Sequence, residues 1–221
     1  MKKIRLLIAD DHNIVRQGLI SILENQQNIV IVAEAEDGET MCEKYFAFKP
    51  DIVLTDISMP RLNGIEAAKK ILAKDKHAKI IFLTMHNTEE YIYKAIKTGI
   101  KGLITKDVIK GELVEAIETV VNGETYFNKY TEDEIRNIKN KFEKIYDRIQ
   151  NTNTSLLTER EKTILKYISQ GFTSDEIASF LSVGRRTVDI TRSAIMEKLN
   201  IKTLPQLIRF AVELSFFSND A

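Results

Sequence analysis

Three aspartates, a threonine and a lysine stand at matching places in the first half of the sequence. Asp10 and Asp11 follow the apolar run IRLLIA, Asp56 follows DIVLT, Thr84 closes KIIFLT, and Lys106 follows KGLIT. If each run is a strand of one parallel sheet, all five side chains gather on one rim. Three neighbouring carboxylates raise one another's pKa values unless a cation sits among them. Hard oxygen donors suit Mg²⁺, which binds through few carboxylates and keeps several waters. With the metal present, one carboxylate can attack phosphorus as a nucleophile. Lys106 would balance charge developing on the phosphoryl oxygens, and Thr84 could donate a hydrogen bond to the product. Asp56 then becomes an aspartyl phosphate, a gain of about two negative charges. Taken singly, each acid also reads as an ordinary loop residue capping the helix that follows.

The elements that must position these groups are legible. Apolar runs of strand length occupy 4–9, 29–35, 51–55, 79–84 and 101–105, with helical patterns near 13–25, 39–48, 63–75, 88–98 and 109–122. Five strands alternating with helices predict an α/β domain over 1–127, a doubly wound parallel sheet with right-handed crossovers. A helical linker is expected over 128–155. Thr131 and Glu134 have capping-box spacing, and Ile135, Ile138, Phe142, Ile145 and Ile149 then recur at three, four, three, four. That seam suits a helix lying on one of the domains or a short dimer-forming coil. From 156 to 221 the pattern is helical only, giving a second, all-α domain. Thr158 with Glu161 and Thr173 with Glu176 are two more capping boxes, each heading an apolar-periodic run.

Composition narrows the partners. Lys plus Arg and Asp plus Glu both number 32, so overall charge points to no partner. Residues 183–202, however, hold Arg185, Arg186, Arg192, Lys198 and Lys202 against two acids, a local basic patch. A short helix, a turn and a second helix with a basic start fit the major groove of double-stranded DNA. Ile177, Ala178, Leu181, Val183, Val188, Ile195 and Leu199 fall on facing sides, which leaves Arg185, Arg186, Asp189, Ile190, Arg192 and Ser193 largely outward. Cys42 is the single cysteine, so no intrachain disulfide forms. No apolar stretch is long enough to span a membrane, and the expected setting is cytoplasmic. Three scattered histidines offer no zinc pattern, and His12 and His77 read as surface residues.

The stretches LLIADDH, DIVLTDISMPRLNG, IIFLT and GLITKD make 1–127 resemble the receiver domain of a two-component response regulator. LTEREKTIL, SDEIASFLSV and RTVDITRSAIMEKL make 156–217 resemble the LuxR-type helix-turn-helix of the NarL/FixJ family. The first resemblance implies a flavodoxin-like (βα)5 fold, a partner sensor histidine kinase and Asp56 as phosphoacceptor. It further implies a metal site of Asp10, Asp11, Asp56 and the Ser58 carbonyl, with Thr84 and Lys106 as switch residues. Ser58 and His86 would flank the phosphoryl group and tune its hydrolysis. The second implies a recognition helix from about Arg185 to Leu199 and a last helix that helps form a homodimer. This sequence departs from the family at several places. Leu103 stands where an aromatic is usual, Gly184 replaces an N-cap Ser, Asp189 often is Lys, and Thr191 often is His. Two other readings stay open. One is a regulator acting without phosphate. The other is an aspartate-nucleophile phosphatase, which would want a second acid where Ser58 stands.

Overall fold

The computed structural model describes residues 3–85, 88–107, 110–127 and 130–218. The chain divides into two compact units, Met1–Lys139 and Asn140–Ala221. In the first, the apolar runs become β1 (Ile4–Ala9), β2 (Ile29–Ala35), β3 (Ile52–Asp56), β4 (Ile80–Thr84) and β5 (Gly102–Thr105). They pair in parallel in the order β2-β1-β3-β4-β5. β1 has β2 on one side and β3 on the other, so the chain reverses its winding there. A crevice at the carboxyl ends of the strands follows from that reversal.

The connecting helices are α1 (Asn13–Glu24), α2 (Gly38–Phe48), α3 (Gly64–Lys74), α4 (Glu89–Thr98) and α5 (Lys110–Val121). On one face, Leu19 and Leu23 of α1 and Leu113, Ile117 and Val120 of α5 share a buried cluster with Leu6, Ile8, Leu54 and Leu83. On the other face, Met41 of α2, Ala67 and Ile71 of α3 and Ile92 of α4 are fully buried. β3 and β4 are buried along their whole length. Covering on both faces is why they read as continuous apolar runs rather than alternating ones.

A sixth strand was not expected. β6 (Tyr126–Phe127) extends the parallel sheet beyond β5, with Tyr126 N–H donating to the Lys101 carbonyl at 2.9 Å. Two residues are too few to show a period of two.

A long helix, α6 (Glu132–Gln150), begins with the expected capping box: Thr131 N–H donates to Glu134 at 2.8 Å, and Glu134 N–H donates back to Thr131 Oγ1 at 3.3 Å. Its apolar seam is used within the chain. Ile138, Phe142 and Ile149 are buried, and Ile135 and Ile145 are half-buried. In the second unit it is followed by α7 (Glu159–Ser169), α8 (Ser174–Phe180), α9 (Arg185–Lys198) and α10 (Leu204–Ser218). There, the Phe142 ring lies tilted against Phe216 of α10 with centroids 5.5 Å apart, Tyr146 meets Phe217 edge-on at 5.3 Å, and Arg148 pairs with Glu213. The remaining core joins Ile164 and Ile168 of α7, Ile177 of α8, Val188 and Ile195 of α9 and Leu207 of α10. Both expected capping boxes form at α7 and α8. No helix among the described residues is long and apolar enough to cross a membrane.

Candidate functional site

The rim at the carboxyl ends of β1, β3, β4 and β5 brings the five expected side chains into one neighbourhood. Asp10 and Asp11 follow β1, Asp56 is the last residue of β3, Thr84 the last of β4, and Lys106 follows β5. Lys106 Nζ lies 2.8 Å from Asp10 Oδ2 and 2.8 Å from Asp56 Oδ2, and its side chain is only 6% exposed. Its backbone N–H donates to the Thr84 carbonyl at 2.8 Å, which ties the ends of β4 and β5 together. Thr84 itself is buried. Asp11 is exposed at the mouth.

Burial pushes the Asp56 carboxyl above the ordinary carboxylate range, outweighing the downward pull of Lys106 and of the Ser58 N–H. Burial also pulls Lys106 down, but the two facing carboxylates more than compensate and its pKa is raised. Asp10 Oδ2 is buried and, apart from the Lys106 ammonium 2.8 Å away, meets no hydrogen-bond donor among the described residues. An oxygen in that state has lone pairs to give a cation. Asp10, Asp11, His12 and Asp56 each offer a ligand atom, all within 4.8 Å of one another. A set dominated by carboxylate oxygens fits a hard divalent ion such as Mg²⁺.

His12 is the member that the sequence reading left on the surface. Its ring is exposed, yet Nδ1 sits 3.0 Å from Asp11, and the His12 backbone N–H donates to Asp10 Oδ1 at 2.8 Å. Adjacency to two acids was the available signal. His86 lies outside the described residues. Ser58 is exposed, and its N–H is directed to the Asp56 carboxylate.

Local packing fixes Asp56. Thr55 Oγ1 donates to the Asp56 carbonyl at 3.0 Å, and Gly64 N–H donates to the Ile57 carbonyl at 2.9 Å. A Cβ on Gly64 would stand 2.0 Å from the Asp56 carbonyl oxygen, so only glycine lets the loop close this tightly. The loop's far side is anchored on Asp37, a fully buried N-cap of α2 that accepts from Thr40 N–H at 2.9 Å and pairs with Arg61.

In the second unit, Arg185, Arg186, Ile190 and Ser193 are exposed on α9. Asp189 and Arg192 are half-buried instead. Asp189 accepts from Ser174 Oγ of α8 at 2.9 Å and pairs with Arg192 at 3.3 Å, while Arg192 donates to the same hydroxyl at 3.0 Å. Arg185 pairs with Asp175 of α8 at 3.0 Å. Thr187, absent from the sequence-based set, is exposed beside Arg186.

Comparison with known proteins bears on both units. Residues 6–118 match the family described as response regulator receiver domain, and residues 155–211 match bacterial regulatory proteins, luxR family. The oxygen regulatory protein NreC of Staphylococcus aureus is 37% identical over 215 residues, 95% of this chain and 97% of that protein. The structure of a LuxR-family two-component response regulator from Aurantimonas sp. SI85-9A1 is 34% identical and covers 63% of this chain and 98% of its own, with a TM-score of 0.56. The response regulator ChrA of a haem-sensing two-component system is 29% identical, covers 98% of this chain and all of its own, and has a TM-score of 0.55.

Proposed function

The chain belongs to the response regulators that join a receiver domain to a LuxR-type DNA-binding domain, and from that premise we propose that Asp56 accepts a phosphoryl group from a sensor histidine kinase and thereby governs how α9 binds double-stranded DNA. The observation that carries this reading is the buried bridge of Lys106 between Asp10 and Asp56, 2.8 Å on each side. An Asp56 oxygen attacks phosphorus, the bond from phosphorus to the kinase imidazole nitrogen breaks, and an acyl phosphate forms. Lys106 then faces phosphoryl oxygens in place of the carboxylate it held, and the Thr84 hydroxyl donates to one of them. Asp10, Asp11 and Asp56, with the Ser58 carbonyl, would hold Mg²⁺, which when bound screens the charge on those oxygens.

We assign 1–127 to the receiver, 128–155 to the linker and 156–221 to DNA binding. The matches to 6–118 and 155–211 support this functional division. Packing draws the line differently, at Lys139, because the later part of α6 lies on α10. Arg185, Arg186, Asp189, Ile190, Arg192 and Ser193 form the proposed DNA-binding set, with Arg186, Ile190 and Ser193 exposed to the groove and Arg185, Asp189 and Arg192 held in ion pairs that fix α9. The exposed stripe Leu204, Ile208 and Val212 on α10 suits pairing of two copies, which would let two half-sites multiply a modest affinity. A cytoplasmic setting, with access to the DNA, goes with this function.

Incubation with acetyl phosphate and Mg²⁺ should add one phosphoryl group at Asp56, seen by intact mass, and strengthen DNA binding. Asp56→Ala should show neither. An unchanged mass in the wild type would end the proposal.

A second reading, regulation without phosphate, has one observation in its favour. Leu103 is fully buried in β5, in register with Phe82 of β4 and Phe127 of β6. An aliphatic packed there offers no ring to move. Equal DNA binding by Asp56→Ala and by phosphorylated wild type would favour it.

A further inference from the structure

Ile190 is out of place on its helix. Arg186, Ile190, Ser193 and Glu197 follow one another along the outward edge of α9, and the other three are polar. Ile190 is 61% exposed there. On a helix that enters the major groove, an aliphatic side chain in that place is free to meet an apolar group on a base edge.

Its neighbour Asp189 is turned to different work. The carboxylate accepts from Ser174, pairs with Arg192 and lies 3.6 Å from Arg185 Nε, while Arg185 also holds Asp175. These five side chains clasp α9 to the first turn of α8. Two of the three arginines of α9 and its first acid are engaged in that clasp. Arg186, which has no ion pair among the described residues, stays outward with Thr187, Ile190 and Ser193.

Resting on the DNA-binding reading above, we propose that the base-reading edge of α9 is centred on Ile190 and selects a thymine methyl group, with Asp189 a positioning residue that braces the helix and reads no base. In the major groove the thymine methyl is the one apolar group that a base pair presents. Pressed against guanine or cytosine, Ile190 would bury their donors and acceptors unpaired, at a cost in binding. Arg186, one turn earlier, supplies the hydrogen bonds to phosphate or guanine that fix the register. The acid at 189 does not repel phosphate as a free carboxylate would, because its charge is met by two guanidinium groups.

The test takes the full-length chain, with acetyl phosphate and Mg²⁺, through selection from a random duplex library. Thymines of the enriched duplex are then replaced by uracil one at a time, which removes only the methyl. Affinity should drop about fourfold at a discrete position, the worth of one buried methyl. Ile190→Ala should bind both duplexes alike, and Ile190→Val should keep most of the discrimination. Asp189→Asn should weaken binding to every duplex without changing which thymine matters. A flat uracil scan, or a methyl effect that survives in Ile190→Ala, overturns the inference alone. Altered base preference in Asp189→Asn overturns the positioning role. If no duplex is enriched, the DNA-binding reading falls and takes the inference with it.

Discussion

At the residue scale, function in the first unit depends on how close two backbones come. Gly64→Ala places a methyl 2.0 Å from the Asp56 carbonyl oxygen, and backbone rather than a flexible side chain must yield. We expect a loss of about 2–3 kcal/mol in denaturant titrations of the first unit, the upper end of overpacking costs, together with slower phosphoryl uptake at Asp56. In the second unit Glu161 does two tasks. It completes the capping box of α7 and lies 2.8 Å from Lys198 of α9, with its side chain 9% exposed. The Lys198 contact and the Thr158 N–H hold its carboxyl below the usual 4.5. A carboxyl depressed in the folded state contributes stability that is complete above 4.5 and is lost as pH falls through the lower folded value. Glu161→Gln should therefore lower the melting temperature of the second unit at neutral pH and bring variant and wild type together in acid. A gap independent of pH would show that the charge is immaterial.

Elements carry the coupling of local signals to packing. α9 starts at Gly184, whose backbone has N-cap geometry but which offers no side-chain oxygen to the helix N–H groups. Nothing lies within 4 Å of a Cβ built there, so serine fits without displacement. Gly184→Ser should stabilise the second unit by a few tenths of a kcal/mol, read as a small rise in its melting temperature. α6 shows the opposite case, where sequence alone gave a choice of partners. Phe142 is buried and packs at a tilt against Phe216, so Phe142→Ala should cost about 3–5 kcal/mol of the second unit's stability. A double-mutant cycle with Phe216→Ala should return a coupling of about 0.5–1.5 kcal/mol. No coupling would mean that α6 leaves α10 in solution.

At the scale of the whole molecule, the candidate cation site lies wholly within the first unit, so a cation should act on that unit's stability. Millimolar Mg²⁺ should raise the melting temperature of the first unit, since a ligand that binds only the folded state stabilises it by mass action. Asp10→Asn should abolish the shift, because Asp10 supplies a buried carboxylate oxygen to the candidate cation cluster. A shift that survives the substitution would count against a cation at the strand ends. Removing Mg²⁺ with a chelator should return the first transition to its starting value.

Much of this architecture was written in the order of residues. The runs at 4–9 and 29–35 are β1 and β2 to the residue, and the three capping boxes form where Thr and Glu stand three apart. These features depend on spacing along the chain, and spacing is what a sequence records. The convergence of Asp10, Asp56 and Lys106 was also legible, because parallel strands send their ends to one rim. Other features were decided by contacts between segments far apart in the chain. β6 extended the sheet, the α6 seam found α10, and Asp189 turned from the open face to Ser174 and two arginines. A side chain's partner is chosen by geometry across elements, and neither its type nor its period fixes which way a half-exposed carboxylate will point.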